Sequence, residues 1–411
     1  MKYITSSQFV SAIIATIISL GILNSCKKIG TAHETISTDL SKPGVVKSVS
    51  VLNFEGGAHI IYEIPSSPNL LYVQADYNIN EKKSRQTKSS YFSDTITVSG
   101  FSESKEYEVI LHVVTRANVM SDPVSVVVHP LTPPFRSVFP STHMQPDFGG
   151  VKVTAQNPNR HPLGFVFIAM DPTTNNYEIE DQFFTATADI DFSARGYDTI
   201  TRAFGVYVTD EWGNVSDTLF NDIAPLYETI LDKSKFFEYV LPRDNTIGYG
   251  WLLPRLWDGG TTNNDGWHTL QGGKWPIICT YGLGVNAKLS RFTMWQRAGI
   301  YSYALGNPRE FSLWGTEEIS PEDADLPLQS PVGTVIGHWT NLGNFTFPDP
   351  PSGLAPGSTN AEDEAFLVKG VDFTMPLNSP KTRFIRVAVS SVWSLTDFVH
   401  IMEITYYGNP Q

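Results

Sequence analysis

The chain has 411 residues, with 29 basic and 42 acidic side chains and a formal net charge of −13 at pH 7. No run of lysine or arginine supplies the basic face that a nucleic acid needs, so the composition excludes a nucleic-acid partner. A neutral glycan is compatible with this charge, and a highly sulfated one is less so. The length predicts about two to four domains.

The first 25 residues have the pattern of a signal peptide. Lys2 supplies an early positive charge, and an apolar run over residues 9–23 follows. It lacks the length and flanks of a membrane-spanning helix. The run ends in Leu23-Asn24-Ser25-Cys26, which resembles the lipobox of bacterial lipoproteins.

That resemblance implies cleavage before Cys26 and attachment of lipid to it, with residues 26–42 as a tether from the membrane. The alternative is an ordinary signal peptide followed by an incidental cysteine. With Cys26 lipidated, Cys279 has no partner for a disulfide, because the sequence has only these two cysteines. Cys279 ends the apolar segment 275–279, which favours a buried, inert thiol over a nucleophile or a metal ligand.

From Pro43 onward, short alternating or β-branched runs are separated by Gly, Pro, Asn and Asp, without long helical periodicity. This pattern predicts an all-β protein of sandwiches or barrels. In the first predicted domain, residues 43–134, the strand candidates are 45–51, 59–64, 70–77, 95–98, 107–115 and 124–129.

The first domain resembles a fibronectin type III sandwich in Pro43-Gly44 at its start, in the strand 60–65, and in the strand that begins at Tyr107. The resemblance implies a structural role for Tyr107, whose hydroxyl would bond back to the backbone at a corner of the sandwich.

Residues 135–230 are predicted to form a second fibronectin-like sandwich, a divergent copy of the first. The segment 118–122 is similar in sequence to 214–217, and Pro130-Leu131 is repeated as Pro225-Leu226. Residues 210–214 predict a turn, because Gly and Asn tolerate positive φ. We expect the adjacent acids of this turn to be solvated rather than catalytic.

The third predicted domain, residues 231–411, is rich in tryptophan. Of the nine tryptophans only Trp212 lies before residue 250. Eight indoles are more than packing alone suggests, and exposed indoles can stack against the C–H face of pyranose rings. The alternative is a tryptophan-rich core, which we expect to take at least half of the eight.

Six landmarks in this domain follow the order seen in the discoidin, or coagulation-factor C-type, galactose-binding jelly roll. They are residues 256–260 with 266–268, then 285–295, 308–316, 339–343, 382–387 and 401–408. The resemblance implies a discoidin-like jelly roll that binds ligands with loops at one end. Residues 317–337 and 349–357 depart from the compact family and are predicted to be surface loops.

The loops expected at that end are 266–275, 296–307 and 390–397. The predicted glycan-binding residues in them are Trp267, His268, Trp275, Arg297, Tyr301, Tyr303 and Trp393. A sugar site needs an aromatic platform together with planar donors and acceptors, and Arg297 and His268 are the polar members of this set. Trp275 begins an apolar run and is the main candidate for a core position.

The same resemblance implies a structural calcium ion. Its ligands would be Asp258, Thr261 and Glu403, which are hard oxygen donors at two of the landmarks. The alternative is that Asp258 caps a turn and Glu403 pairs with a nearby base. No organic cofactor is expected.

The full layout resembles a group of Bacteroidota lipoproteins of unknown function, in which two fibronectin-like domains and a discoidin-like domain follow a lipobox. These proteins are associated with glycan-uptake systems. The resemblance implies an outer-membrane lipoprotein, expected at the cell surface with the periplasmic face left open. Its expected partners are a glycan, the membrane and an outer-membrane uptake complex.

The sequence predicts a protein without catalytic activity. It contains no metalloprotease helix motif, nucleophile elbow or phosphate loop. The acid pairs Glu178 with Glu180 and Asp323 with Asp325 show no sign of the shared cleft that a glycosidase needs. Carbohydrate binding is therefore the predicted function, and the alternative is a protein-interaction or adhesion module that uses the same loops.

Overall fold

The computed structural model describes residues 37–262 and 266–411, so the predicted signal peptide and Cys26 lie outside the described residues. In these ranges the chain consists mainly of strands, with two short α-helices, α1 (Pro134–Val138) and α2 (Ala361–Val368). Neither described helix has the length and apolar character needed to cross a membrane. The predicted all-β architecture is confirmed.

The first sandwich has a three-stranded and a four-stranded sheet. Its strands are β1 (Lys47–Phe54), β2 (Gly57–Glu63), β3 (Leu70–Asn80), β4 (Lys83–Ser90), β5 (Thr95–Ser99), β6 (Tyr107–Thr115) and β7 (Val124–Val128). The sheet orders are β1-β2-β5 and β4-β3-β6-β7. Strand β4 is not among the predicted strands, because this edge strand, KSRQTKSS, has no apolar side chain and is half-buried only at alternate positions.

Tyr107 packs in the core of this sandwich, with its ring centroid 4.4 Å from that of Phe101. Its buried hydroxyl has no hydrogen-bond partner among the described residues, so the backbone bond predicted for Tyr107 is wrong. Tyr77 makes the corresponding bond: its hydroxyl donates to the Ser99 carbonyl and accepts from the Ser99 amide, each at 3.1 Å. Because β3 and β5 belong to different sheets, this bond joins the two layers.

The second sandwich repeats the topology of the first. Its strands are β8 (His143–Asp147), β9 (Gly150–Gln156), β10 (Leu163–Met170), β11 (Tyr177–Thr185), β12 (Asp189–Arg195), β13 (Arg202–Thr209) and β14 (Val215–Ile223). The sheet orders are β12-β9-β8 and β11-β10-β13-β14. Counted from the first strand of each sandwich, both sheets have the same order in the two copies.

The short sequence echo between the two sandwiches has a structural cause. The Ser121 hydroxyl accepts from the Val113 amide at 2.9 Å and donates to the Asp122 carbonyl at 2.7 Å. The Ser216 hydroxyl accepts from the Val208 amide at 2.9 Å and donates to the next carbonyl, of Asp217, at 2.6 Å. In both copies one serine therefore satisfies two backbone groups where the sixth and seventh strands meet.

The chain divides into two compact units. In the described ranges, one contains residues 37–140, 161–164 and 208–217, and the other contains the remaining residues of 141–411. The turn at 210–214 belongs to the first unit, where the Asn214 side chain donates to the Gly100 carbonyl at 3.0 Å. The Asp210 carboxylate of this turn accepts from the amides of Trp212 and Asn214, so it caps the turn.

The third segment is a jelly roll. Its strands are β15 (Thr229–Ile230), β16 (Phe237–Glu238), β17 (Trp267–His268), β18 (Ile277–Trp295), β19 (Pro308–Thr316), β20 (Val335–Ile336), β21 (Trp339–Thr346), β22 (Val371–Thr374), β23 (Thr382–Val392), β24 (His400–Ile401) and β25 (Glu403–Asn409). The long strand β18 pairs with β23 up to Ala287 and with β25 from Lys288 onward. Gly284, at φ +67°, lies in the register shift between Gly282 and Ala287 within the pairing of β18 with β23, and glycine adopts this φ without steric cost.

Four of the eight tryptophans in this segment are buried, as expected for a tryptophan-rich core. Trp257 and Trp267 lie in the main core, and Trp314 and Trp339 lie in a second apolar cluster. Cys279 is also in the main core as a free thiol, and burial raises the pKa of this thiol well above its usual range. The predicted burial of Cys279 is confirmed.

Residues 317–337 are mostly exposed, as predicted for a surface loop, but part of the segment packs against the jelly roll. Ala324 and Leu326 are buried in the second apolar cluster. The fully buried Arg386 donates to the Ala324 carbonyl at 3.0 Å and pairs with Asp323 at 3.0 Å and with Asp244 at 3.3 Å. The segment folds over the sheet because it neutralises a buried guanidinium, which would be very costly without an anionic partner. The other predicted surface loop, residues 349–357, is mostly exposed.

Candidate functional site

The short strands β17 and β24 position the residues at the centre of the site. In their antiparallel pairing Trp267 lies opposite Ile401, and His268 lies opposite His400. Successive side chains of a strand point to opposite faces. Trp267 and Ile401 are therefore in the main core, while the two histidines point away from it, toward the loops.

Around these histidines lies a group that we call the aromatic cluster. It consists of Tyr249, Trp251, His268, Arg297, Tyr301, Phe398 and His400. The ring of His268 stacks on that of Phe398 with 5.0 Å between centroids. Tyr249 and Trp251 meet the same imidazole edge-on, at 4.8 and 5.5 Å. Tyr249 is 64% exposed and Trp251 is half-buried, so the cluster presents ring surface to solvent.

Arg297 lies between two rings of the cluster. Its guanidinium carbon is 3.5 Å from the ring centroid of Tyr301 and 4.9 Å from that of Trp251. A planar guanidinium gains cation–π and stacking energy in this position. The two rings thereby fix the direction in which its N–H donors point.

The buried side chain of Asn307 holds the turn that carries Arg297 and Tyr301. Its oxygen accepts from the Arg297 amide at 2.9 Å, and its nitrogen donates to the carbonyls of Arg297 and Tyr301 at 2.9 and 2.7 Å. Three backbone groups of the turn are thus bound by one side chain. The site is therefore preorganised on this side.

Both histidines of the cluster are neutral near pH 7. Burial lowers the pKa of His400 to about 3, and the nearby His268 and Arg297 add to this effect. Burial also lowers the pKa of His268, against a hydrogen bond to the Thr269 carbonyl. In that bond the His268 Nδ1 donates at 2.7 Å, which leaves Nε2 as an acceptor. The cluster therefore combines neutral imidazoles with one guanidinium.

The structure brings His268, Arg297 and Tyr301 together, as the sequence predicts. Tyr303 and Trp393 form a separate edge-to-face pair at 5.1 Å, with the Arg309 guanidinium 5.0 Å from the Trp393 ring. Tyr303 is 1% exposed, so its ring offers no platform in this conformation.

The two remaining predicted residues lie outside the cluster. Trp267 is 1% exposed in the main core, so it offers no face to a sugar. Trp275 is half-buried against the same core and lines a polar groove of about 740 Å³ together with Asn245 and Lys274. The core position considered for Trp275 is therefore only partly realised.

The predicted site residues do not include Tyr249, Trp251, Asn307, Phe398 or His400. Phe398 and His400 follow directly after the predicted loop 390–397, which was one signal available. Trp251 is one of the eight tryptophans of the third predicted domain, but it precedes the first of the six discoidin-like landmarks, so nothing in the sequence places it beside β17. The pairing of β17 with β24 joins residues far apart in the chain, and no local pattern reveals it.

The predicted calcium ligand Glu403 already has two hydrogen-bond donors. Its carboxylate is 1% exposed and accepts from the Lys233 ammonium at 2.6 Å and from the Gly259 amide at 2.8 Å. Burial raises the pKa of Glu403 to about 7, although both donors act in the opposite direction. An internal ammonium therefore supplies the positive charge beside this carboxylate.

Asp258 and Thr261 complete the predicted calcium set. The Asp258 carboxylate accepts from Arg255 and from the Gly260 amide, each at 2.8 Å, which is the behaviour of a turn cap. Within residues 37–262 and 266–411, no group of three or more His, Cys, Asp or Glu side chains is arranged to hold a metal. Calcium takes about six to eight oxygen ligands, so the described side chains do not fit a calcium cage, and calcium binding stays a prediction of the sequence.

The acid pairs considered as glycosidase candidates have other settings. Glu178 and Glu180 are exposed on the edge strand β11. Asp323 and Asp325 both pair with Arg243, each at 3.4 Å. Each acid is thus solvated or bound to arginine.

Three family models match successive parts of the chain, and each describes a domain of unknown function. DUF4959 matches residues 43–130, DUF5126 matches 131–234 and DUF5000 matches 257–408. No curated protein matches the chain. The three matches follow one another in the order of the three predicted domains.

Several solved structures resemble the chain. The SusE-like protein BT2857 is 29% identical over 68% of this chain and 100% of its own, with a TM-score of 0.41. A structure of GH31 CBM32-2 bound to GalNAc is 14% identical over 44% of this chain and 98% of its own, with a TM-score of 0.26. A two-domain fibronectin type III segment of chicken tenascin is 11% identical over 44% of this chain and 98% of its own, with a TM-score of 0.21.

Proposed function

We propose that this protein is a membrane-anchored, non-catalytic lipoprotein that binds carbohydrate at the aromatic cluster of its C-terminal jelly roll. The observation that carries the proposal is the Arg297 guanidinium held between the rings of Tyr301 and Trp251, beside the neutral His268. It combines a charged planar donor, a neutral acceptor and ring faces in one small region.

The chemistry of a pyranose matches this combination. Such a ring has an apolar C–H face that stacks on aromatic side chains, and it carries adjacent hydroxyls that accept and donate hydrogen bonds. Tyr249 and Trp251 supply partly exposed ring surface. Arg297 donates only, while His268 Nε2 can accept from a hydroxyl. A neutral glycan therefore finds both kinds of contact in the cluster.

The anchor and the two sandwiches give the proposed site its setting. The lipobox resemblance at Cys26 supports attachment to the outer membrane, and we propose that the protein faces the cell surface. Along the chain, the two sandwiches lie between the anchor and the jelly roll that carries the cluster. In this position the protein would capture glycan for an outer-membrane uptake complex.

A glycan array probed with the mature chain carrying Cys26→Ala tests the proposal. We expect a defined class of glycan to bind. We expect Arg297→Ala and Trp251→Ala each to lower the affinity at least tenfold without changing the melting temperature. The matched control is Arg85→Ala, because that guanidinium lies 5.3 Å from the Trp212 ring in the other unit.

Two outcomes would contradict the proposal. One is an array without a hit alongside capture of a protein partner, which favours an adhesion module. The other is a glycan that binds the Arg297→Ala and Trp251→Ala variants as tightly as it binds the parent, which places the site elsewhere on the chain.

A further inference from the structure

Unpartnered buried polar atoms are concentrated in two loops beside the aromatic cluster. Thirteen buried side-chain nitrogen and oxygen atoms lack a hydrogen-bond partner among the described residues, and six of them lie in the segments 296–307 and 393–400. These six belong to Gln296, Tyr303, Trp393, Thr396 and His400, which contributes both ring nitrogens. Buried polar groups nearly always find partners in folded proteins. Nearly half of the exceptions among the described residues therefore lie beside the aromatic cluster.

Among these residues, His400 has two unpartnered buried atoms and each of the others has one. It is 1% exposed, and neither ring nitrogen has a partner among the described residues. Its ring centroid lies 5.3 Å from that of His268 and 6.4 Å from that of Tyr301. A phenylalanine would fill the same space without leaving two polar atoms unpaired, so packing alone gives no reason for a histidine here.

We infer that His400 recognises a hydroxyl group of a neutral sugar, and that Tyr301 covers His400 in the free protein and moves aside when the sugar binds. This inference rests on the proposed function and names the ligand class of the same site. A neutral imidazole has one N–H donor and one acceptor nitrogen. It can therefore donate to one hydroxyl and accept from another, whereas a carboxylate or sulfate would leave the acceptor nitrogen unpaired.

The exposed tip of the loop that carries Tyr301 supports such a movement. Tyr301 ends a short 3₁₀ turn that starts at Gly299, at φ +73°. Ile300 at the tip is 89% exposed. Tyr303 and Leu305 have φ values of 51° and 50°, which is strained for side chains of this size. Asn307 holds the backbone at Arg297 and Tyr301, so the proposed movement is a rotation of the Tyr301 side chain, which stacking on Arg297 holds in the closed position.

The test compares His400→Phe with the parent, both as mature chains carrying Cys26→Ala. The probes are D-galactose, N-acetyl-D-galactosamine and D-glucuronate, together with the best array hit. We expect His400→Phe to melt at or above the temperature of the parent and to bind the sugar at least tenfold more weakly. The control is His59→Phe, which changes an exposed histidine of the first sandwich and should bind as the parent does.

A measurement on the unmodified side chain covers the case in which His400→Phe does not fold. With ¹⁵N-labelled histidine, the ring-nitrogen signals of His400 should shift when a neutral sugar is added and should not shift with D-glucuronate. Tyr301→Ala should uncover the ring and raise the pKa of His400 toward its usual value.

The outcomes separate this inference from the proposed function. If the parent binds no glycan at all, the proposed function fails, and the inference fails with it. If the parent binds a neutral sugar while His400→Phe binds it equally well, only the inference is overturned. Binding of D-glucuronate with a shift of the His400 signals would overturn the assignment to neutral sugars.

Discussion

At the scale of single residues, neighbouring aromatic side chains of the jelly roll have opposite roles. Trp267 and His268 are adjacent in sequence, yet one is in the core and the other faces the aromatic cluster. Trp251, which no landmark marks, is half-buried beside Arg297. The direction in which a side chain points thus decides whether it stabilises the core or lies in the proposed binding site.

Two tryptophan variants should show this separation. We expect Trp267→Ala to lower the free energy of unfolding by about 3–5 kcal/mol, because it removes a fully buried indole. Trp251→Ala should weaken glycan binding at least tenfold, which is about 1.4–3 kcal/mol, by analogy with base stacking on aromatics, with the melting temperature unchanged. Denaturant unfolding and calorimetric titration measure the two effects. Weakened binding without destabilisation in Trp267→Ala would contradict the assignment of Trp267 to the core.

Glu403 should make the stability depend on pH. Its folded-state pKa of about 7 lies above the usual 4.5, so its stabilising contribution is fully present below pH 4.5 and is lost as the pH rises through 7. The free energy of unfolding should fall across this window, by no more than about 1.4 kcal/mol per pH unit. Glu403→Gln should flatten this part of the profile, measured by urea unfolding from pH 4.5 to 8.

The control for this profile is His400, which acts with the opposite sign. Because the pKa of His400 is lowered from 6.5 to about 3, its contribution is present above pH 6.5 and is lost as the pH falls toward 3. His400→Phe should therefore change the acid side of the profile and leave the Glu403 effect in place. Thermal melts with calcium and with EDTA test the metal prediction: a calcium-dependent rise in melting temperature that Glu403→Gln abolishes would show that the ion binds at Glu403.

At the scale of elements, the two sandwiches are copies that share one feature, which we call the serine bridge. In each copy, one serine hydroxyl accepts from the amide of the preceding strand and donates to the next carbonyl. Strands β6 and β13 each lead into a turn followed by a serine, which bonds to the backbone of the preceding strand. The turns themselves differ, with Asn118 at φ 59° in the first copy and Gly213 at φ +79° in the second. The serine bridge is thus present in both copies although the residues of the turn differ.

Removing either bridge should destabilise its own sandwich. We expect Ser121→Ala and Ser216→Ala each to lower the free energy of unfolding by about 1 kcal/mol, because the amides of Val113 and Val208 lose their partners. Denaturant unfolding measures both. The control is Ser125→Ala, because the Ser125 hydroxyl bonds to Glu108 at the surface and should contribute little. An effect of Ser125→Ala as large as the other two would refute the special role of the bridge.

At the scale of the whole molecule, the proposed function depends on the anchor at one end of the chain and the aromatic cluster near the other. Cys26 lies outside the described residues, so the anchor is a prediction of the sequence. The lipobox resemblance and the polar segment that follows it support the prediction. Lipid attached to both the thiol and the amino group of one cysteine would hold the protein stably on a bilayer, whereas a single acyl chain binds only reversibly.

Replacing Cys26 with alanine should release the protein from the membrane fraction. The expected result is full recovery in the soluble fraction after detergent-free fractionation, with the parent remaining in the membrane pellet. Cys279→Ala is the matched control, because Cys279 is buried and should not affect the partition. A Cys26→Ala variant that stays in the pellet would refute the lipid anchor, and protease treatment of intact cells would identify the membrane face.

The all-β class, the order of two sandwiches and a jelly roll, and most strand positions of the first sandwich could be predicted from the sequence. These follow from local patterns: alternation with period two, and turn residues that tolerate positive φ. It also predicted His268, Arg297 and Tyr301 as parts of one site. It missed β4, because a polar edge strand carries no apolar alternation.

The exposure of each aromatic side chain, and the contacts between distant residues, depend on the tertiary structure. His268 reaches His400 through the pairing of β17 with β24, and Lys233 reaches Glu403 from a distant part of the chain. Arg386 obtained its partners from the segment predicted as a surface loop. The physical reason is common to all three: the partners are far apart in sequence, and a shift of one residue in strand register would exchange the buried and exposed faces.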